Sequence, residues 1–118
     1  MPLTISSAAG DNTWLASIGL PDSGTTVSLA GSCNPSGLDG QTDVAMSPTS
    51  LTAPTPPGSG SIFWIIEANL TTGAVDIQQS TTSMPTGSGA GYQTIFQQTL
   101  TPTTTDPSEN GTDVTPDS

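Results

Sequence analysis

Ser61-Ile62-Phe63-Trp64-Ile65-Ile66-Glu67-Ala68-Asn69-Leu70-Thr71-Thr72-Gly73-Ala74-Val75-Asp76-Ile77-Gln78-Gln79-Ser80 is the one concentrated hydrophobic stretch of this 118-residue chain. Its first ten residues alternate. Ile62, Trp64, Ile66, Ala68 and Leu70 fall on one side of an extended backbone, and Phe63, Ile65, Glu67 and Asn69 on the other. Thr71-Thr72-Gly73 follows, with a glycine free to take positive φ, and then Val75 and Ile77 alternate with Asp76 and Gln78. Two alternating runs around a short polar turn predict a β-hairpin. The first run is apolar on both faces over Ile62 to Ile66, which suits a strand covered by two layers or a contact between subunits. Ile62, Phe63, Trp64, Ile65 and Ile66 are therefore candidates for an oligomer interface as well as for a core.

Downstream, Thr81 to Gly91 is polar and punctuated by Pro85, Gly87, Gly89 and Gly91. Tyr92 to Leu100 predicts a further strand, with Tyr92, Thr94 and Phe96 on one face and Ile95 on the other. Residues 101–118 are rich in Thr, Pro and Asp, carry four of the ten acids and have Val114 as their one strong apolar residue. That composition alone predicts disorder, and an ordered tail would have to be held, most simply by a partner subunit.

Upstream, Leu3 and Ile5 alternate with Thr4 and Ser6, giving a short strand or an arm over residues 1–7 that adds to a neighbour's sheet. Thr13 to Leu20 reads as a strand because it is short and ends at Gly19 and Pro21. Pro21-Asp22-Ser23-Gly24 is a β-turn, with Pro at its start and Gly at its end. Thr25 to Ala30 is β-branched and alternating, so a first hairpin is expected here. Gly31 to Gly40 is turn-rich, and a short strand is expected around Val44. Ser47 to Gly60, with Pro48, Pro54, Pro56 and Pro57, reads as an extended connector or linker. The expectation is an all-β protein: a small antiparallel sandwich or barrel-like domain over residues 1–100, with extended Pro/Thr-rich terminal segments.

The charge balance excludes more than it assigns. There are ten Asp plus Glu and no Lys, Arg or His, for a net charge of −10. Nucleic acid is disfavoured as a partner because its phosphates are bound by Lys and Arg. So is an anionic membrane surface, and no stretch is long enough to span a bilayer. Basic protein surfaces or bound cations fit. Only 31% of residues are apolar, a thin supply for a core, so subunit contacts are expected to complete it. Met1 to Ser7 has no basic n-region and no long apolar segment, which gives the expectation of synthesis in a cytoplasm.

Most catalytic arrangements need a residue this chain lacks. No imidazole activates a Ser or Cys, no Lys forms a Schiff base and no Arg holds a phosphate. Asp22-Ser23-Gly24-Thr25 looks like the Asp-Ser/Thr-Gly signature of aspartic proteases, but Pro21 interrupts the apolar lead-in and no apolar-apolar-Gly partner motif follows. The turn is the preferred reading. Asp39-Gly40-Gln41-Thr42-Asp43 brings two carboxylates together in a loop, where calcium is one possibility and solvated acids the default. Cys33 is a lone thiol with no cationic activator near it in sequence. Trp14, Trp64 and Tyr92 offer faces for sugar stacking, though strand-spaced aromatics more often pack a core. Asn69-Leu70-Thr71 and Asn110-Gly111-Thr112 match the glycosylation sequon. No enzyme activity, no cofactor and no metal is expected.

The segment from Phe63 through Gly73-Ala74 to Gln98-Thr99-Leu100 resembles small structural proteins of tailed bacteriophages, in which an apolar strand enters a Thr-Thr-Gly-Ala turn and a Thr/Pro-rich acidic end is common. About 40 residues carry the resemblance. Among such proteins the capsid decoration, or cement, type fits best. The resemblance implies a homotrimer on the capsid surface of the virion that clamps neighbouring major capsid subunits, with Leu3 and Ile5 as capsid-contact residues of the arm. A tail-fibre or baseplate module in tail assembly or host attachment is the alternative.

Overall fold

The alternating runs become the strands of two antiparallel sheets. The computed structural model describes residues 2–5, 15–20, 24–33, 44–103 and 112–113, and among these no helix is present. The strands are β1 (Pro2–Ile5), β2 (Leu15–Gly19), β3 (Thr26–Cys33), β4 (Val44–Ala45), β5 (Ser50–Thr52), β6 (Ile62–Asn69), β7 (Val75–Ser80), β8 (Tyr92–Leu100) and β9 (Thr112–Asp113). The first sheet runs β1-β2-β3-β4, with β5 also paired to β3; the second runs β7-β6-β8-β9.

Both expected hairpins form. β2 and β3 pair with Ile18 opposite Leu29, and β6 and β7 pair with Ile66 opposite Ile77. One face of each sheet is apolar. In β3, Val27 and Leu29 are buried while Thr26, Ser28 and Ala30 are exposed. In β6 the Trp64, Ile66 and Ala68 side is buried as expected. These faces, with Leu20, Met46, Ala53, Val75, Ile95, Phe96 and Leu100, form one continuous core to which both sheets contribute. This is the sandwich form of the expected architecture.

Ser47 to Gly60 is not a plain connector. It contains β5, and Ala53 and Pro54 are buried. The prolines flank Ser50–Thr52 instead of interrupting it, so the ladder keeps its donors: Leu29 N donates to Thr49 O at 2.7 Å and Ala53 N to Thr25 O at 2.7 Å. β4 and β5 thus lie end to end along one edge of β3. Between them the backbone swings out to the second sheet. Ser47 N donates to Gly73 O at 2.9 Å, and Val75 N donates to Ser47 O at 3.0 Å, a parallel bridge between the sheets.

Three further differences from the sequence reading are found. Strand β3 runs on to Cys33, whose backbone pairs with Val44, so the expected loop begins later. In β8 the strict alternation fails. The β6–β8 register shifts at Ile66/Glu67, and Ile95 and Phe96 both enter the core. One extra residue at a β-bulge turns the following side chains over. In the tail, Thr112–Asp113 pairs with β8 opposite Gln97 and Phe96.

The β6–β7 turn is built for the close approach to β4. The Asn69 side-chain carbonyl accepts from Thr71 N at 2.8 Å and Thr72 N at 2.9 Å, and Gly73 N donates to Asn69 O at 3.0 Å. Gly73 sits at φ 78°, and a Cβ there would collide with the Ala45 carbonyl. Gly73→Ala combines left-handed strain with that clash, and is expected to lower unfolding stability by about 3 kcal/mol. Denaturant unfolding of the variant checks this. Gly24→Ala, at φ 83° but with open space around the Cβ position, is the control and should lose only about 1 kcal/mol.

Candidate functional site

Glu67 is the group the sequence did not single out. It lies on the second face of β6 and is fully buried. Burying a carboxylate is costly unless charge or hydrogen bonds replace water. With no Lys, Arg or His in the chain, no side-chain cation can do this, so donors must. The polar segment between β7 and β8 supplies them. Ser88 N donates to Glu67 Oε2 at 2.8 Å and the Ser88 hydroxyl donates to Oε1. Gln78 Nε2 reaches Oε1 at 3.2 Å and Ser88 Oγ at 3.0 Å. The approach depends on Gly87 at φ 91°, where a Cβ would stand 2.9 Å from Glu67 Oε2 and 3.9 Å from Ile65 Cδ1. The segment is thereby fastened over the sheet, and Ile65, fully buried outside the main core, packs close to it.

Asp76 is the cross-strand partner of Glu67. Although Asp76 is largely exposed, its carboxyl is pushed above the ordinary aspartate value, first by partial loss of solvent on its inner side, then by the charge of Glu67 and by a hydrogen bond to it. The Asp76 side is exposed, while Glu67 is sealed below Ser88. Glu67 thus bonds the loop to the sheet from beneath Ser88, and Asp76 stands beside it at the surface.

A second buried polar contact lies in the core. Trp64 Nε1 donates to Gln98 Oε1 at 3.0 Å, and the Trp64 and Phe96 rings are tilted at a centroid distance of 5.3 Å. Trp64 has no face left for a sugar, and Tyr92 is half-buried.

The residues expected at a subunit contact divide. Trp64, Ile65 and Ile66 are fully enclosed by their own chain, whereas Ile62 and Phe63 are half-buried and retain surface. The backbone of the expected arm, Pro2–Ile5, pairs with β2 at the outer edge of the first sheet; the side chains of Leu3 and Ile5 lie outside the described residues. So do Trp14, Asp22, Ser23, the Cys33 side chain, Asp39, Asp43 and Asn110. Among the described residues, no group of three or more His, Cys, Asp or Glu is placed to hold a metal ion, and no helix is long and apolar enough to cross a membrane. Asn69 of the other sequon uses its side-chain carbonyl in the turn.

Glu67 was hidden in the sequence because its partners are 11 and 21 residues away. The one available signal was an acid inside an otherwise apolar strand. Comparison with protein-family models, with curated proteins and with solved structures gives no match to the chain.

The sign of the Asp76 shift makes a prediction. A carboxyl raised in the folded state contributes stability below its unfolded pKa, and that contribution is lost as pH rises through the folded pKa. Asn imitates the protonated acid at every pH. Asp76→Asn should therefore melt at a higher temperature than the parent near neutral pH, with the gain vanishing below the ordinary aspartate range. Thermal melts of both proteins across acid to neutral pH check this.

Proposed function

We propose that the chain is a non-enzymatic virion structural protein of the capsid decoration type, which binds the outside of a shell and holds neighbouring major capsid subunits together. The observation that carries this reading is the position of β1: among the described residues the N-terminal strand lies at the outer edge of the first sheet and pairs with β2 alone. A strand so placed can leave β2 and add to a sheet of another protein, supplying backbone hydrogen bonds and alternate side chains. Leu3 and Ile5 are then the anchors. The absence of cations supports a protein partner with a basic face over nucleic acid or membrane. The sealing of Glu67 supports a mechanical role over a catalytic one.

In this reading three copies assemble, with Ile62 and Phe63 as the part of the apolar stretch still able to meet a neighbour. The clamp resists internal pressure by adding buried interface across the joints between capsid subunits. The chain is made in the host cytoplasm and joins the particle there.

Copy number and position in purified particles test the reading. Many copies spread over the head are expected. A few copies confined to the tail would overturn it in favour of a tail-fibre or baseplate module. Deleting residues 1–7 should abolish binding to heads while leaving the oligomer intact by sedimentation; unchanged head binding would remove the arm from the mechanism.

A further inference from the structure

The outer edge of β7 is half occupied. β7 ends the second sheet, with β6 on its inner side. In an antiparallel pair, alternate residues turn their backbone groups toward and away from the partner strand. Asn69 N donates to Ala74 O, so Ala74 faces β6, and Val75 faces outward, where its N–H meets Ser47 O. Continuing the alternation, Ile77 and Gln79 also present N–H and C=O groups outward. Ser47 begins a parallel pairing with this edge between Gly73 and Val75. The next residue, Pro48, has no N–H to continue it, and the chain turns back to β3 through Thr49 O. Among the described residues no strand pairs with the edge beyond Val75.

Native sheets commonly blunt such an edge with Lys, Pro or a bulge. Here Val75–Ser80 contains neither Lys nor Pro, and the one charge on it is the exposed Asp76. That carboxyl is crowded by Glu67 across the ladder, an arrangement that a nearby cation would relieve. No second copy can bring that cation on a side chain, because the chain has no Lys, Arg or His. Like charge therefore discourages self-pairing at this edge while leaving it open to a basic strand.

We propose that the β7 edge, from Val75 to Ser80, takes an extended Lys- or Arg-bearing segment of a different protein as an added strand, with a cationic side chain set against Asp76. This rests on the reading of the chain as a binding block and names the chemistry of its partner. Backbone pairing at Ile77 and Gln79 supplies the strand geometry, and Asp76 selects the charge.

The test uses the full chain and two synthetic ten-residue probes, one alternating Lys with Val and one alternating Glu with Val, followed by amide hydrogen exchange. In the free protein, the Ile77 and Gln79 amides should exchange fast. At saturating Lys-Val peptide both should slow by about tenfold or more, as follows when most molecules are bound, and the Glu-Val peptide should leave them unchanged. Gln79→Pro removes an outward donor without touching the β6 ladder and should abolish the protection read at the Ile77 amide. Asp76→Lys should exchange the preference, so that the Glu-Val peptide protects and the Lys-Val peptide does not. Protection of Ile77 and Gln79 in the free protein would mean the chain covers its own edge, and would overturn the proposal. So would equal protection by both peptides or protection confined to β1. Because the readout needs no particle, loss of edge binding with the chain still found on heads would remove the edge alone, and intact edge binding with the chain absent from heads would remove the capsid reading alone.

Discussion

Two hydrogen bonds on the backbone of Ser47 join the sheets, and much of the chain's course is explained by the need to make them. Ser47 lies between β4 and β5, both held on β3, and reaches Gly73 and Val75 in the β6–β7 hairpin. Each such bond contributes only about 1 kcal/mol net. Their larger effect is geometric. They fix the hairpin turn against β4 at a distance only glycine permits, so the apolar faces of the two sheets meet in one register. Asn69 sets the turn, Gly73 clears the Ala45 carbonyl, and the prolines after Ser47 steer the chain back without interrupting β5.

The second constraint is the absence of positive side chains. A chain with ten acids and no basic side chain cannot neutralise a buried carboxylate with a side-chain ion pair. Glu67 shows the consequence. Its burial is made tolerable by Ser88 and Gln78, and the same bonds hold the β7–β8 segment over the sheet near Ile65. A thin supply of apolar residues is thereby stretched over two layers, with a polar fastener doing part of the covering. The same charge balance shapes association. In the proposed reading it discourages pairing of copies at the β7 edge and favours a basic partner there.

The parts of the fold governed by neighbouring residues were legible in the sequence. The Ile62–Leu70 alternation, the Thr71-Thr72-Gly73 turn and the pairing of the Ile18 and Val27 runs needed only the two-residue period and turn chemistry. What the sequence concealed was non-local. Alternation over Tyr92–Leu100 failed because a bulge opposite Ile66 and Glu67 brings both Ile95 and Phe96 inward. β5 was masked by the prolines around it, which lie off the ladder. Apolar residues on both faces of β6 suggested a seam between subunits. Trp64, Ile65 and Ile66 instead find cover within the chain, where the near approach of Gly87 to Ile65 could not be read from the polar, glycine-rich composition of residues 81–91.

The joining of the sheets through Ser47 is tested most directly by native-state hydrogen exchange at two amides, Ser47 and Val75. The bridge predicts that both exchange as slowly as the Ile66 amide in the core, at the rate of global unfolding, because neither bond can open without parting the sheets. Exchange at Ser47 and Val75 as fast as in the exposed Thr81–Ser83 segment, with Ile66 still protected, would contradict it. The sheets would then be held by their apolar faces alone.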